Sequence, residues 1–371
     1  MTEVLGLTRE LVALDTAGRA EDDAIALLAP KLEDAGFTLD VVRLDQGRST
    51  LVAEWRTDLD VPPLCLSGHL DTVPLGAARW SFDPLRAEPD GDRLHGRGTS
   101  DMKGGVAAIV LAAIAAATGR PRRSGLRLVL TAAEETGSAG AVGAAERLTG
   151  RPSGPLVITE PTANAVAHGH KGALWLTARA TGVTAHGSMP HLGDNAITKL
   201  AAATTRLTDY RFPDHPHPVM GAPTLNVATF HAGLNTNSVP DLAEATVDVR
   251  TVAGQDHTAV LADLAACAGP SVTLAPLVDL PPVWTDPHQE WAASVSEAVA
   301  DVTGTSAREP LTMTFFTDAS VLTPAFGGVP TVICGPGEPS QAHATDEWCS
   351  ITRLAESVAI LERLCRDWCG L

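Results

Sequence analysis

Apolar positions along the first part of the chain follow two periods, one typical of helices and one typical of strands. Leucines recur every three or four positions in Leu5–Leu14, and Ala24–Ala35 repeats this spacing, so both segments are predicted as amphipathic helices. Four short apolar runs bounded by Gly or Pro are typical of buried strands. These runs are Pro63–Ser67, Leu126–Ala132, Pro155–Thr159 and Pro330–Cys334. Because helical segments separate them, the pattern predicts an α/β domain with a mostly parallel sheet and helices on both faces.

The pattern changes between about Lys171 and Asp279, where the order strand, helix, strand, strand, helix, strand predicts a small α+β domain. Its predicted elements are Leu174–Gly182, Asn195–Thr208, Thr224–Phe230, Ala243–Arg250, Thr258–Ala266 and Ser271–Val278, with a surface loop at Pro213–Pro218. The earlier pattern resumes with a predicted helix at Gln289–Thr303. We therefore expect a discontinuous α/β domain of residues 1–170 and 281–371, interrupted by an inserted domain of residues 171–280.

Composition limits which classes of partner and which cellular compartment we expect for this protein. The 371 residues carry 44 acidic and 27 basic side chains, a formal net charge of −17. Because a field of this sign repels phosphate, we expect neither nucleic acid nor an anionic membrane as a partner. The longest apolar run, Val106–Ala117, is too short to span a bilayer and favours a buried helix. Six cysteines without a CxxC pair, and an N-terminus without a basic leader, predict a cytoplasmic protein with free thiols.

Several common catalytic motifs do not occur in the chain. It contains no Gly-Lys pair and so no P-loop, no GxSxG, no HExxH, and no GxGxxG opening a helix after a strand. The sequence therefore lacks the motifs that usually indicate nucleotide hydrolysis, serine-esterase chemistry of the α/β-hydrolase type or a dinucleotide-dependent dehydrogenase.

Ionisable residues follow each of the four predicted buried strands. They are His69, Asp71, Glu134, Glu135, Glu160 and His343. In open parallel sheets, ligands bind beyond the carboxyl ends of the strands, so these side chains are expected to lie close together. Carboxylates packed that closely repel one another and resist ionisation, and a bound cation, best of all a pair of divalent cations, removes the repulsion.

Taken one at a time, these residues also have simpler explanations. His69 could be a surface histidine, Glu134 and Glu135 a solvated acidic loop, and His343 an ordinary loop histidine. Asp101, just before a predicted helix, could be an N-cap, although glycines on both sides suggest a tight backbone path around a ligand.

Two spacings favour chemistry. In an extended segment, residues two apart point the same way, so Asp71 can orient the imidazole of His69. Adjacent residues at a strand end point in opposite directions, so Glu134 and Glu135 can divide metal binding and proton transfer between them.

Together and in this order, the motifs resemble the M20 family of di-zinc amidohydrolases and peptidases. The matching segments are Ser67–Pro74, Gly96–Gly105, Glu134–Ser138, Thr159–Thr162 and Gln341–His343. The resemblance extends from about residue 5 to the C-terminus and is greatest to the acetylornithine deacetylase and succinyl-diaminopimelate desuccinylase branches.

The resemblance implies a role for each residue of the cluster. His69 and Glu160 would hold one Zn²⁺, and Glu135 and His343 would hold the other, with Co²⁺ or Mn²⁺ as possible substitutes. Asp101 would bridge the two ions, with a cis peptide bond to Met102. Glu134 would act as the general base toward a water between the zinc ions and then as the general acid toward the leaving amine.

The resemblance also assigns the inserted domain a role as lid and dimerisation domain. His186 would reach the active site of the partner subunit in a homodimer and stabilise the tetrahedral oxyanion. Asn237 would help to bind substrate, and Arg250 would pair with a substrate carboxylate. From the residues alone, an ordinary salt bridge at a strand end is the better explanation of Arg250, and the resemblance is what favours a functional role.

The implied activity is removal of an N-acyl group, expected to be acetyl, from an amino acid. A desuccinylase, a dipeptidase or a carboxypeptidase of the same family is the alternative, and a non-catalytic relative that binds a ligand is a more remote one. Residues 313–319 match neither branch closely, and Phe315 and Phe316 in this segment suggest a substrate more apolar than ornithine. The expected partner is thus a small N-acyl amino acid or a short peptide.

Overall fold

The structure, a computed structural model, describes residues 1–18, 20–45, 47–213, 216–305 and 309–371. The chain forms two compact units, and each is described by itself. The first contains Met1–Gly169, Trp284–Leu311 and Thr317–Leu371, and the second contains His170–Val283 and Thr312–Phe316. Within the predicted loop at Pro213–Pro218, Asp214 and His215 lie outside the described residues.

Helices and strands alternate along most of the chain. In chain order they are α1 Thr2–Val12, α2 Glu21–Asp34, β1 Thr38–Asp45, β2 Arg48–Trp55, β3 Val61–His69, β4 Glu88–Asp90, β5 Arg93–His95, α3 Lys103–Ala117, β6 Ser124–Thr131, α4 Ala139–Arg147, β7 Leu156–Pro161, β8 Ala167–His170, β9 Gly172–Thr181, α5 Ala196–Thr208, β10 Thr224–Ala232, β11 Leu242–Thr251, α6 His257–Ala268, β12 Thr273–Leu280, β13 Val283–Trp284, α7 Glu290–Thr303, β14 Leu311–Met313, α8 Ala319–Ala325, β15 Thr331–Gly335, β16 Trp348–Ser350 and α9 Ile351–Cys369.

The main sheet of the first unit has four parallel strands at its centre. Its strands lie in the order β1, β2, β6, β3, β7, β15, β8, β13, and the pairs β6–β3, β3–β7 and β7–β15 are parallel. The flanking pairs β1–β2, β2–β6 and β15–β8 are antiparallel. The four central strands are the four predicted from short apolar runs. The predicted fold class, a mixed α/β fold with a mostly parallel central sheet, is confirmed.

Helix α3 forms the centre of the helical layer. Its apolar run is buried against the sheet and against α1 and α9, as the pattern predicted. Gly104 and Gly105 allow this close packing, because a Cβ atom on either would collide with the main-chain oxygens of Thr99 and Thr159. These two glycines are therefore explained by contact between a helix and its neighbours. A second helix pair, α4 and α8, also packs against strands of the sheet.

The described part of the chain includes no helix that is long and apolar enough to cross a membrane. The cysteines are free thiols, buried at every position except the half-buried Cys267.

A separate three-stranded antiparallel sheet, in the order β16, β5, β4, was not predicted. Trp348 of β16 pairs with His95 of β5, so the residue before Trp348 lies beside the glycine-rich segment that follows His95. The main-chain N–H of Gly96 donates to the carbonyl of Glu347 at 2.9 Å, which extends this pairing by one step.

The second unit is a four-stranded antiparallel sheet, in the order β10, β11, β9, β12, with α5 and α6 packed on one face. Alternate residues of β9 and β11 are buried, and they form the core with α5 and α6. Asn195 caps α5, since its side-chain oxygen accepts the main-chain N–H of Ile197 at 2.9 Å. The order of elements agrees with the predicted order.

Candidate metal centre

The four central strands end side by side, and they bring the predicted ligands to one edge of the sheet. His69 is the last residue of β3, and Glu160 lies in β7. Glu135 follows β6 in a turn, and His343 follows β15 after a short 3₁₀ helix at Pro339–Gln341. Since β6, β3, β7 and β15 are consecutive in the sheet, residues far apart in sequence become neighbours.

Two groups of three possible ligands form there and share Asp101. One group is His69, Asp101 and Glu160, and the other is Asp101, Glu135 and His343. The Nε2 atom of His69 lies 3.1 Å from Asp101 Oδ1 and 3.8 Å from Glu160 Oε1. The Nε2 atom of His343 lies 2.9 Å from Glu135 Oε2 and 3.5 Å from Asp101 Oδ2. Asp101 thus directs one oxygen toward each histidine, and its peptide bond to Met102 is cis.

Burial of several carboxylates close together dominates the electrostatics of this centre. Burial raises the pKa of Glu134 and of Glu160 well above their usual range, and charges of neighbouring carboxylates raise both further. Burial also raises the pKa of Glu135, although its hydrogen bond with His343 opposes the shift. Burial alone would lower the pKa of His69, but Asp101, Glu160 and Asp71 raise it well above its usual value. The site therefore attracts positive charge strongly.

The donor set fits a pair of divalent cations. The Nδ1 atom of His69 lies 2.9 Å from the main-chain oxygen of Asp71, which can only accept a hydrogen bond, so Nδ1 carries the proton. In the neutral ring, Nε2 then presents a lone pair toward Asp101 and Glu160, an arrangement that a cation between them would stabilise. Glu135 Oε1 is buried and has no hydrogen-bond partner among the described residues. Mixed imidazole and carboxylate ligands suit zinc and similar transition metals.

Asp71 supports the centre in a different way from the one its spacing suggested. The carboxylate oxygen Oδ1 of Asp71 lies 3.7 Å from His69 Nδ1, whereas the main-chain oxygen of Asp71 lies 2.9 Å from the same nitrogen. The two carboxylate oxygens instead accept the main-chain N–H groups of Glu134 and Glu135, each at 3.2 Å. Asp71 therefore holds both the histidine and the turn that carries the two glutamates.

The pair Glu134–Glu135 lies in a turn and not in the extended conformation from which opposite directions were inferred. Strand β6 ends at Thr131, and Ala133 has a φ of 58°, which bends the chain before the pair. The carbonyl of Glu134 then accepts the N–H of Gly137 at 2.9 Å. Glu135 nonetheless contacts His343, whereas Glu134 lies among Glu160, His69 and Asp318, whose charges shift its pKa. The two side chains have different environments because of the turn.

Glu347 is a central residue of the site that the sequence did not indicate. It is fully buried, and its carboxylate accepts Arg97 Nη1 at 2.7 Å and the main-chain N–H groups of Gly98, Ser100 and Asp101 at 2.9, 2.8 and 3.1 Å. These bonds hold the segment that presents Asp101. No sequence pattern indicated that Glu347 would lie here, because its position depends on the pairing of the short strands β5 and β16.

Arg48, Glu21, Asp318 and Lys103 surround the same centre and were also missed. Arg48 Nη2 lies 2.8 Å from Glu21 Oε1, which is buried, and 4.0 Å from Asp71 Oδ2. Asp318 is buried and accepts the hydroxyl of Thr131, and burial raises its pKa to about 6. Lys103 Nζ donates to the main-chain oxygen of Leu14 at 2.7 Å, and burial lowers its pKa to about 8.

In the second unit, the structure brings two of the three predicted residues together. The segments of His186 and Asn237 pair, since the N–H of Gly187 donates to the carbonyl of Asn237 at 2.7 Å. Both side chains are exposed, and the Nδ1 atom of His186 lies 2.8 Å from the hydroxyl of Ser188. Arg250 lies on β11 in an ion pair with Asp248, 2.9 Å from Nε to Oδ1, which is the salt bridge that its simpler explanation expected.

Fold and site together define a mixed α/β protein with a carboxylate–imidazole centre suited to two cations, in which one ligand group is buried and the other includes the exposed His343. Residues 65–367 match the family described as peptidase family M20/M25/M40, so the chain belongs to this family. Its expected class, a metal-dependent hydrolase that acts on amide bonds, is confirmed at the level of the family.

Relatives with assigned names fall in the branches that the motifs resembled. The chain is 30% identical over 360 residues to acetylornithine deacetylase of Vibrio atlanticus, covering 94% of this chain and 92% of the relative. It is 27% identical over 379 residues to a Staphylococcus aureus protein named "Probable succinyl-diaminopimelate desuccinylase", covering 94% of each. An M20 family metallo-carboxypeptidase from Sulfolobus solfataricus has the same fold, with a TM-score of 0.82, 20% identity and full coverage of both chains.

Proposed function

We propose that this protein hydrolyses the amide bond of an N-acyl amino acid, releasing the free amino acid and a carboxylic acid that we expect to be acetate. The observation that carries the proposal is the pair of three-residue ligand groups that share Asp101, with the buried carboxyl group of Glu134 beside them. The 30% identity to an acetylornithine deacetylase supports an N-acetyl substrate.

The distances support the ligand assignment that the family resemblance implies. His69 and Glu160 would hold one cation, Glu135 and His343 the other, and Asp101 would contribute one oxygen to each. Zn²⁺ fits this donor set, and Co²⁺ or Mn²⁺ could replace it. When bound, the two ions would supply Lewis-acid polarisation of the scissile carbonyl and would make a water more acidic.

Glu134 would move the proton. Burial and the charge of Glu160 raise its pKa, which makes its carboxylate a better base than that of an ordinary glutamate. It would accept a proton from the attacking water and deliver that proton to the leaving nitrogen, so that the amide bond breaks as a neutral amine forms. Asp71 would keep Glu134 in place through the main-chain N–H group that its carboxylate accepts.

Residues of the second unit would bind the rest of the substrate. The ring of His186, oriented by Ser188, would donate a hydrogen bond to the developing oxyanion, acting across a homodimer formed through this unit. Asn237, whose segment pairs with that of His186, would contact the substrate, and Arg250 would bind its carboxylate. A cytoplasmic location, the homodimer and zinc as the native metal are parts of this proposal.

Amine release from a substrate panel tests the function. The protein loaded with Zn²⁺ would be assayed with N-acetyl-L-ornithine, N-acetyl-L-methionine, N-succinyl-L,L-diaminopimelate and an unblocked dipeptide. Turnover of either N-acetyl substrate with the highest kcat/KM supports the proposal. Turnover restricted to the succinyl compound or the dipeptide would overturn the acetyl assignment, and no turnover with both cations bound would overturn the enzymatic proposal for all four substrates.

A further inference from the structure

The sheet of the second unit has one face covered by helices and one face that α5 and α6 do not cover. Along β9 and β11, the buried residues Leu174, Leu176, Val247 and Val249 belong to the core with α5 and α6. Because side chains alternate along a strand, Trp175, Asp248 and Arg250 point to the other face. Trp175 is the direct cross-strand partner of Asp248, and Arg250 is two residues farther along β11. These three side chains are half-buried neighbours.

Arg250 is held in a fixed orientation and still has a free edge. Its Nε and Nη2 atoms lie 2.9 and 3.2 Å from the two carboxylate oxygens of Asp248. Its guanidinium carbon lies 5.8 Å from the centroid of the Trp175 ring, a cation–π contact. Asp248 therefore occupies one edge of the guanidinium, and among the described residues no hydrogen bond involves Nη1. The Nη1–Nη2 edge is available to a second carboxylate.

A second cation strengthens the attraction for an anion. Lys171 precedes β9, and its Nζ donates to the main-chain oxygen of Ala222 at 2.6 Å. Burial lowers the pKa of Lys171, and the nearby charge of Arg250 lowers it further, so the two positive charges are close enough to repel each other. Asp248 offsets one of the two charges, so the cluster keeps one net positive charge, which favours an anionic group of a ligand in a chain with a net charge of −17.

The segment that departs from both family branches adds an aromatic surface beside these cations. Thr312–Phe316 belongs to the second unit, and the carbonyl of Met313 accepts the N–H of Lys171 at 3.0 Å. Phe316 then packs edge-on against Trp175, with ring centroids 5.9 Å apart and an interplanar angle of 74°. Both rings are half-buried, so each keeps part of its surface accessible. For Phe315, no ring contact is found within the described ranges.

We propose that Trp175 and Phe316 bind the side chain of the substrate while Arg250 and Lys171 bind its α-carboxylate, so that N-acyl amino acids with an aromatic or large apolar side chain are preferred over N-acylornithine. This inference rests on the proposed function and assigns its substrate class. An ornithine ammonium would be repelled by Arg250 and Lys171, and the nearby face of Trp175 already contacts the guanidinium. An apolar side chain carries no charge for Arg250 and Lys171 to repel, and its contact with the rings of Trp175 and Phe316 removes apolar surface from water.

Kinetics of a matched pair of variants test the assignment. We would measure kcat and KM for N-acetyl-L-phenylalanine and N-acetyl-L-ornithine with the Zn²⁺-loaded wild type, Phe316→Ala and Phe315→Ala. The wild type is expected to have a kcat/KM at least about tenfold higher for the phenylalanine substrate. Phe316→Ala should lower that value about tenfold, mainly through KM, and should change the ornithine value less than about threefold. Phe315→Ala should leave both values within about threefold of wild type, as a neighbour without this ring contact.

Phe316→Leu, which keeps an apolar side chain, should restore most of the kcat/KM for the phenylalanine substrate, which separates a binding role from a folding defect. A wild type that prefers the ornithine substrate, or a Phe315→Ala variant that loses as much as Phe316→Ala, would overturn the assignment while the measured turnover still supports the proposed function.

If no N-acyl amino acid is hydrolysed, the proposed function fails. The further inference is then tested by measuring the binding of an N-acyl amino acid without turnover. Calorimetric titration of the Zn²⁺-loaded Glu134→Gln protein with N-acetyl-L-phenylalanine and with its primary amide measures the two contacts separately. The inference predicts weaker binding, by about tenfold, when the carboxylate is replaced by the amide or when Phe316→Ala is added. Equal binding in all three cases would overturn it.

Discussion

The candidate residues of the two units differ in how far the surrounding chain determines their geometry. In the first unit, His69, Asp101 and Glu160 are buried, and main-chain and side-chain hydrogen bonds hold the segments that carry them. In the second unit, His186 and Asn237 are exposed, and Arg250 is half-buried with a single carboxylate partner. The difference teaches that the geometry of the proposed metal ligands is built into the folded unit, whereas the exposed side chains proposed to bind substrate, His186 and Asn237, are constrained less by the surrounding chain.

The sharpest way to test the first unit is to replace Glu134, its proposed proton-transfer residue. Glu134→Gln should lower kcat by about 10³-fold, because the variant cannot accept a proton, while both cations remain bound. Metal content by mass spectrometry and kcat by amine release check this result. Glu135→Gln is the matched control and should lose a cation, because Glu135 contacts His343. Loss of metal from Glu134→Gln with metal retained in Glu135→Gln would mean that the two roles are reversed.

An exposed residue of the second unit should affect turnover without affecting metal content. His186→Ala is expected to lower kcat about 10²-fold because a donor to the oxyanion is lost. His191→Ala, another exposed histidine of this unit, should retain wild-type kcat. Mixing His186→Ala with Glu134→Gln subunits should restore activity if His186 acts across a dimer, and a mixture as inactive as its components would contradict that arrangement.

Glu347→Gln tests whether the geometry of the first unit depends on residues that touch no cation. The amide would direct a donor at main-chain N–H groups that now face a carboxylate, so the segment presenting Asp101 should loosen. We expect the affinity for Zn²⁺ to fall by about 10- to 100-fold in a competitive titration with a chelator. Asp346→Asn, at the neighbouring half-buried position, should keep the wild-type affinity. Equal losses in the two variants would remove the special role of Glu347.

Two ion pairs, one in each unit, are expected to contribute differently to the free energy of unfolding. Arg48→Met would leave the fully buried Glu21 without its partner and should lower the free energy of unfolding by about 3 kcal/mol. Arg179→Met removes an exposed pair in which Nε lies 3.6 Å from Glu244 Oε1, and it should cost less than about 1 kcal/mol. Urea denaturation at a fixed Zn²⁺ concentration measures both. Similar losses would contradict the contrast between a buried and an exposed ion pair.

His170 provides a smaller test, since it is a buried group at the start of the second unit. Burial lowers its pKa to about 4, below the ordinary value of 6.5. Between pH 6.5 and pH 4 the unfolded chain therefore binds a proton that the native chain excludes, and this contribution to stability is full above pH 6.5 and is lost as the pH falls. His170→Asn should reduce the loss of stability between pH 6.5 and pH 5 by about 1–2 kcal/mol. The exposed His231→Asn should keep the wild-type pH dependence in the same urea experiments.

Much of the fold could be predicted because its elements carry strong local patterns. The apolar runs of β3, β6, β7 and β15 and the order of elements in the second unit are visible as periodicity. The short strands β4, β5 and β16 have no such pattern, since three residues are too few to show alternation. Their pairing depends on tertiary packing, and so does the burial of Glu347 beside Asp101.

Four candidate ligands could be predicted because each lies at or after the end of a strand with a clear signal, namely His69, Glu135, Glu160 and His343. Asp101 was suggested instead by the glycines on both sides of it. For Asp71, Glu134 and Glu135, the residues lie at the centre as expected, but the structure shows a different local geometry from the one inferred from their spacing. Asp71 was expected to orient His69 through its carboxylate, but its main-chain oxygen is the nearer acceptor. Glu134 and Glu135 were expected to diverge as in a strand, but a turn after β6 separates them.

The sequence by itself determined which residues could form a carboxylate–imidazole centre, because residue type and position after a strand are local properties. Only the tertiary structure decided how that centre is supported and where the aromatic surface lies. Glu21, Arg48 and Glu347 become partners of the site through contacts between segments distant along the chain. Phe316 meets Trp175 because Thr312–Phe316 joins the second unit. Such contacts depend on the packing of whole elements, which residue spacing does not encode.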